Sequence, residues 1–146
     1  MIRKIQRSDK PVYIQMVQDF YKETKITVPE KHITDTYREM MHCNRFLSAF
    51  VFITEGETVG YALVSKTFSQ KEGGNIWRIE ELYVRPEHRK KGIATEFITF
   101  LEANCPESVK QLRIELSSDS KIKGSIYDKL GFKEYGFCNL IRVLNK

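Results

Sequence analysis

The stretch "VRPEHRKKGIATEF", residues 84–97, crowds five basic or potentially basic side chains (Arg85, His88, Arg89, Lys90 and Lys91) in front of a single glycine, Gly92, and a helical run follows at once. A helix N-terminus presents unpaired backbone N–H groups and the positive end of a dipole, and a glycine there lets the main chain approach a ligand closely. The chemistry this suits is anion binding, phosphate above all. Charge alone also fits a solvated turn or a nucleic-acid patch, so the physics leaves three readings open at this point. Just upstream stand two adjacent carboxylates, Glu80 and Glu81, each able to take up a proton. Strand alternation puts Glu80 with Leu82 and Val84 on one face and Glu81 with Tyr83 on the other.

The remaining reactive side chains form no constellation. His32, His42 and His88 are separated and show neither triad nor metal spacing, which points to surface or packing roles. Cys43, Cys105 and Cys138 form an odd set without metal-type spacing, which suits a reducing compartment better than a disulfide framework. Cys138 falls in an apolar run and is expected to be a small buried strand residue. No metal is expected. There is no G-x-x-x-x-G-K-[ST] loop, so ATP hydrolysis has no support.

The elements that must hold these residues follow from periodicity. "MIRKIQ" is a short strand, and Ser8 or Asp9 is placed to cap a helix from Pro11 to about Thr24 with Val12, Met16, Val17 and Phe20 on one face. A second helix is expected over residues 30–43. "FLSAFVFITEGETVGYALVSKTF" has two strand-like runs broken at Glu55-Gly56-Glu57, the pattern of an antiparallel hairpin. After the loose stretch "SQKEGGN", residues 69–75, "NIWRIEELYV" is a further strand that stops at Arg85-Pro86. Gly92 then opens a helix whose apolar stripe is Ile93, Ala94, Phe97, Ile98 and Leu101, with Pro106 beyond its end. "QLRIELSS" is a strand, "KIKGSIYDKLG" a helix stopped by Gly131, and "YGFCNLIRVL" a last strand or strand pair. The expected order is βααββββαβαββ if that tail divides. The class is α/β (α+β), a mixed sheet with helices against it, in one domain over residues 1–146.

With the elements in place, the spacing of the turn gains meaning. Arg89-Lys90-Lys91-Gly92-Ile93-Ala94 is R-x-x-G-x-A, directly after the strand ending "ELYV" and directly before a helix. This resembles the acetyl-CoA signature of the GNAT N-acetyltransferases, Q/R-x-x-G-x-G/A. Downstream, "SIYDKLGF" resembles the "FYEKLGF" segment near the end of that fold. The element order agrees, so the resemblance covers essentially the whole chain. It implies a central, mainly antiparallel mixed sheet with a splayed parallel pair, here "IEELYV" and "QLRIELSS", and acetyl-CoA in the splay. It further implies that backbone groups around Leu82, Tyr83 and Val84 pair with the pantetheine arm. Main-chain N–H groups across Lys90, Lys91, Gly92, Ile93, Ala94 and Thr95 would hold the pyrophosphate, with Arg89 ordering the turn or touching a phosphate.

For catalysis the resemblance implies Tyr127 beside the cofactor sulfur, where it hydrogen-bonds or protonates the leaving thiolate. An acceptor amine with a pKa near ~10.4 is mostly protonated at neutral pH and must lose a proton before it attacks the thioester. In several GNAT subgroups a glutamate at the place of Glu80 assists through water, so Glu80 is preferred as base and Glu81 held in reserve. Many relatives carry asparagine seven residues before the tyrosine; this chain has Ser120 there, a shorter hydrogen-bonding cofactor contact. The function expected is acetyl transfer from acetyl-CoA to a primary amine of a small molecule or peptide, by direct attack in a ternary complex. The alternative is a sensor or regulatory module that binds acetyl-CoA without catalysis.

Composition bounds the rest. A chain of 146 residues with 41% hydrophobic content fits one core, since a chain of this size buries roughly 68% of its unfolded surface. No apolar run approaches the ~20 residues needed to span a bilayer, and "MIRKIQRSD" lacks a secretory core, so no membrane is expected and the location expected is cytoplasmic. A net charge of +5 favours anionic partners in general. The basic residues are spread along the chain and the turn has no interleaved aromatics, so nucleic acid ranks last among partners. A homodimer stays open.

Overall fold

The computed structural model describes residues 1–117 and 121–146. In chain order the elements are β1 (Ile2–Lys4), α1 (Lys10–Thr24), α2 (Glu30–His42), β2 (Leu47–Thr54), β3 (Glu57–Ser69), β4 (Gly74–Val84), α3 (Ile93–Asn104), β5 (Val109–Ile114) and α4 (Ile126–Lys129). Three strands, not the four expected, separate α2 from α3. β2 and β3 form the hairpin that the sequence suggests, closed by Glu55 and Gly56 with φ of 50° and 78°. Two positive φ angles in a two-residue turn match the twist of the flanking strands, and glycine takes the second without steric cost. The loose stretch 69–75 contracts to a turn over 70–73, because β3 and β4 stay paired out to Ser69 and Gly74.

The sheet order is β1-β2-β3-β4-β5, antiparallel throughout except for the parallel pair β4–β5. One face is covered by α1 and α2, whose buried Tyr13, Met16, Val17, Ile33, Tyr37 and Met40 meet Ala49, Tyr61, Leu63 and Tyr83. Tyr13 takes the central place on α1, and the expected Val12 and Phe20 are only half-buried. On the other face α3 inserts Phe97 against Phe50 and Phe52, with ring centroids 5.6 and 5.2 Å apart. Each such large side chain stabilises the fold by about 1.5–3 kcal/mol through burial.

The cap of α1 departs from expectation in its chemistry. A 3-10 turn over Arg7–Asp9 precedes the helix, and the buried Asp9 makes no side-chain cap. Its carboxylate instead accepts two hydrogen bonds from the Arg3 guanidinium, at 2.7 and 3.0 Å, and one from the Gln6 N–H at 2.7 Å. This ties β1 to the start of α1.

Contacts divide the chain into two compact units, Met1–Leu116 and Ser117–Lys146. The second holds a single helical turn, α4, where a longer helix was expected. Ser125 Oγ accepts from the Asp128 N–H at its start, and Gly131, with φ of 88°, follows its end. Residues 132–146 carry no strand, so the expected last strand or strand pair is a correction. Alternating apolar residues make a strand only when a neighbour satisfies their backbone groups. Here Leu140 and Ile141 are 93% and 89% exposed, and Cys138 is exposed rather than buried.

Candidate functional site

The parallel ladder between β4 and β5 ends at Ile79 opposite Ile114, while β4 runs on to Val84. Residues 80–84 therefore have β3 on one side and, among the described residues, no strand on the other. The Arg85 N–H donates to the Val59 carbonyl at 2.8 Å. A strand residue directs its N–H and C=O to the same side, and successive residues alternate. Glu81, Tyr83 and Arg85 thus turn their backbone groups to β3, and Leu82 and Val84 turn theirs to the open side. This is the splay expected between "IEELYV" and "QLRIELSS". Part of it is already taken, because the Val84 carbonyl accepts from Arg89 Nε at 2.7 Å.

The turn that follows is shaped by backbone conformation. Lys90 and Gly92 have φ of 60° and 82°, and Gly92 is the N-cap of α3. Among the described residues, no backbone carbonyl accepts from the N–H groups of residues 90–95; the ladder of α3 opens with the Glu96 N–H on the Gly92 carbonyl at 2.9 Å. Nothing lies within 4 Å of where a Cβ on Gly92 would sit. Free N–H groups, an empty approach and the positive end of a three-turn helix fit a phosphate. The side chains of Lys90 and Lys91 stand exposed beside it.

Arg89 is committed elsewhere. Its two terminal nitrogens each donate at 2.6 Å to a separate oxygen of Glu23, and its guanidinium lies 5.6 Å from the centroid of the Tyr83 ring. The partnership holds the Glu23 carboxyl below, and the guanidinium above, their ordinary pKa values. Of the two roles expected for Arg89, the contacts favour ordering the turn over touching a phosphate. Tyr83 is likewise turned away from the open side: its ring is buried with Tyr61 and Phe20, at centroid distances of 6.0 and 6.5 Å.

Strict alternation fails at Glu80. Leu63 pairs with Glu81 and Val64 with Ile79, so Glu80 is the extra residue of a β-bulge. The bulge re-aims its half-exposed carboxylate, which accepts from Ser65 Oγ at 2.5 Å, and Ser65 alternates onto the same face of β3 as Tyr61 and Leu63. The expectation that Glu80 and Glu81 serve opposite faces is therefore corrected. Glu81 is 8% exposed, with one oxygen accepting from Tyr61 Oη at 2.7 Å and the other from Tyr21 Oη. Burial pushes the Glu81 carboxyl up, the two tyrosyl donors pull it back, and Glu80 pushes it up again. Burial and Glu81 together push the Tyr21 and Tyr61 hydroxyls far above ordinary tyrosine, so both remain donors.

Sequence reasoning missed Tyr21, Tyr61 and Ser65. A carboxylate alternating onto a core face must find donors, which was the available signal, but the sequence does not say which hydroxyls supply them. Tyr127 lies in the second unit at the first turn of α4, half-buried, with Phe132 edge-on at 6.1 Å. Burial raises its pKa, so its hydroxyl keeps its proton at neutral pH. Ser120 lies outside the described residues.

Comparison with known proteins agrees with this fold. The family model described as an acetyltransferase (GNAT) domain matches residues 17–137, most of the chain. A curated relative, thialysine N-epsilon-acetyltransferase of Bos taurus, is 26% identical over 92% of this chain and 84% of its own length. Among solved structures, a possible acetyltransferase from Clostridium difficile 630 superposes with a TM-score of 0.89 at 18% identity, covering 100% of this chain and 98% of that one. Aminoglycoside N-acetyltransferase AAC(6')-Iy in complex with CoA gives a TM-score of 0.80 at 17% identity, covering 98% and 93%.

Proposed function

The chain belongs to the GNAT acetyltransferase family, and from that premise we propose that it moves acetyl from acetyl-CoA to a primary amine of a cationic acceptor by direct attack. The observation that carries this reading is the β4 edge left unpaired beyond Ile79 among the described residues, leading straight into a turn whose N–H groups over residues 90–95 meet no backbone carbonyl there. An extended pantetheine arm suits the Leu82 N–H and C=O and the Val84 N–H in the manner of an added strand. A pyrophosphate suits the N–H groups from Lys90 to Thr95. When bound, the cosubstrate supplies the thioester; the protein supplies placement, which removes much of the entropic barrier.

Glu80 is the base in this scheme, acting through water. Its half-exposed carboxylate is held by Ser65, whereas both oxygens of Glu81 are occupied by tyrosyl donors. The backbone N–H of Leu82 or Val84 supports the developing oxyanion, and the Tyr127 hydroxyl supports the departing sulfur. The acceptor side is acidic. Glu23 is neutralised by Arg89, but Asp19, Glu80 and Glu81 form no ion pair among the described residues. A cationic amine is favoured there. The bovine relative is named for thialysine and the solved neighbour for aminoglycosides, both amines.

A panel of diamines, aminoglycosides, amino acids and peptides, incubated with acetyl-CoA and read by thiol release, tests the reaction and the acceptor class together. Release with cationic amines and not with neutral ones is expected. Stabilisation of the fold by acetyl-CoA with no thiol release across the panel would leave a sensor, not an enzyme with this acceptor class.

A further inference from the structure

Ile5, Met40, Met41 and Leu47 wall a cavity of about 130 Å³ where the end of α2 meets the strands β1 and β2. It stands on the opposite side of the sheet order from the free edge of β4. Ala49 completes the apolar wall, and the rest of the lining is polar. Asn44 and Ser48 border it, and the Asn44 carbonyl and Ser48 Oγ both accept hydrogen bonds from Lys66 Nζ, at 2.9 and 2.7 Å. The Lys66 ammonium is therefore fixed between two lining residues, and it lies 4.9 Å from the centroid of the Trp77 ring. Lys4 lines the cavity as well.

Among the described residues, neither lysine forms an ion pair. The hydrogen-bond partners of Lys66 are neutral, and an ammonium has three donors, so one remains for a ligand. Burial, with Lys4 adding like-charge repulsion, holds Lys66 below ordinary lysine. The half-buried Lys66 ammonium, paired with no carboxylate, is unfavourable there until an anion joins it, and the exposed Lys4 adds positive potential at the rim. The hollow itself takes roughly four water-sized volumes at ~30 Å³ each, which fits a chain of three or four carbons.

We propose that this cavity binds a short aliphatic monocarboxylate, with its alkyl chain against Met40, Met41 and Leu47 and its carboxylate on Lys66 and Lys4. A bare phosphate leaves the apolar wall unfilled, and an alcohol leaves both charges uncompensated. The inference does not rest on acetyl transfer, and neither reading fails with the other.

The chain has four methionines, which makes the test local. The full-length protein, labelled with carbon-13 at the methionine methyls, is titrated with butyrate, butan-1-ol and inorganic phosphate. Met40 and Met41 report the cavity, and the fully buried Met16 reports the fold. Butyrate is expected to shift Met40 and Met41 saturably while Met16 stays put. Butan-1-ol is expected to bind roughly tenfold more weakly or worse, and phosphate to leave both methyls unmoved. Lys66→Gln and, at an exposed position, Lys4→Gln should each weaken butyrate by a factor of roughly three to ten, with Met16 unchanged. The proposal is overturned by an absent or unsaturable butyrate shift, by equal affinity for butan-1-ol, or by Lys4→Gln and Lys66→Gln both retaining wild-type affinity.

Discussion

Gly92 carries the backbone conformation on which the turn depends. At φ of 82° it sits where an L side chain costs about 1–2 kcal/mol, and more for a β-branched one. The space around its Cβ position is open, so a substitution there strains the local backbone rather than clashing with the core. Gly92→Val is therefore expected to weaken CoA binding by roughly tenfold in calorimetry while the thermal midpoint falls only a little. Unchanged CoA affinity would remove the turn from the cofactor site. Tyr127 is a different kind of residue, expected to act on the leaving group rather than on binding. Tyrosine titrates near ~10 and a thiol near ~8.5, so full proton transfer to a solvated thiolate is uphill. Burial raises Tyr127 further, which favours donation of a hydrogen bond over release of the proton. Tyr127→Phe should lower kcat by roughly 10²-fold or more and leave the Kd for acetyl-CoA within about twofold. Equal turnover in the two proteins would take the tyrosine out of the mechanism.

At the scale of elements, α1 is fastened to the end of β4 by three contacts made from its last two turns. Phe20 packs on Tyr83, Tyr21 donates to Glu81, and Glu23 holds Arg89, which in turn holds the Val84 carbonyl. Exposed ion pairs are usually worth ~0–1 kcal/mol, but a bidentate guanidinium–carboxylate pair has the geometry that lifts it to the upper part of that range. Glu23→Gln is expected to weaken CoA binding a few-fold through the turn, with little loss of thermal stability. In a double-mutant cycle with Arg89→Ala, the two effects should fall well short of adding. Full additivity would show that Glu23 and Arg89 act separately. The sequence made the elements of this assembly legible: the hairpin at Glu55-Gly56, the strand ending at Val84 and the helix opening at Gly92 all follow from periodicity and turn residues. What it hid were the partners. Arg89 was identifiable by its spacing, but its bond to Glu23 joins residues 66 positions apart and leaves no local trace. The bulge at Glu80 was hidden as well, because it arises from the pairing of β4 with β3 and not from any residue within β4. Residues 132–146 failed for the complementary reason: their alternation is a strand pattern, and pattern alone supplies no neighbouring strand.

Taken as a whole molecule, the first unit sets two buried carboxylates against each other in their response to pH. Asp9, bonded by Arg3 and the Gln6 N–H, is held below its ordinary pKa, chiefly by the Arg3 hydrogen bonds. Its contribution to stability is complete above the unfolded value near ~3.9 and is lost as the pH falls through the lower, folded value. Glu81 runs the other way. Burial raises it, so keeping it protonated favours the fold below the unfolded value near ~4.3, and that advantage disappears as the pH rises through the folded pKa. Asp9→Asn should therefore cost about 1–3 kcal/mol at neutral pH, the loss of hydrogen bonds to a charged group, and the gap to wild type should close as the pH falls through the lowered, folded value. Against Glu81→Gln, by contrast, wild type should gain relative stability as the pH falls from 7 towards 4. Thermal melts of the three proteins between about pH 2.5 and 7.5 separate the two effects. If the Asp9→Asn gap persisted undiminished at the acid end, the Arg3–Asp9 tie between β1 and α1 would be holding the unit together by packing rather than by charge.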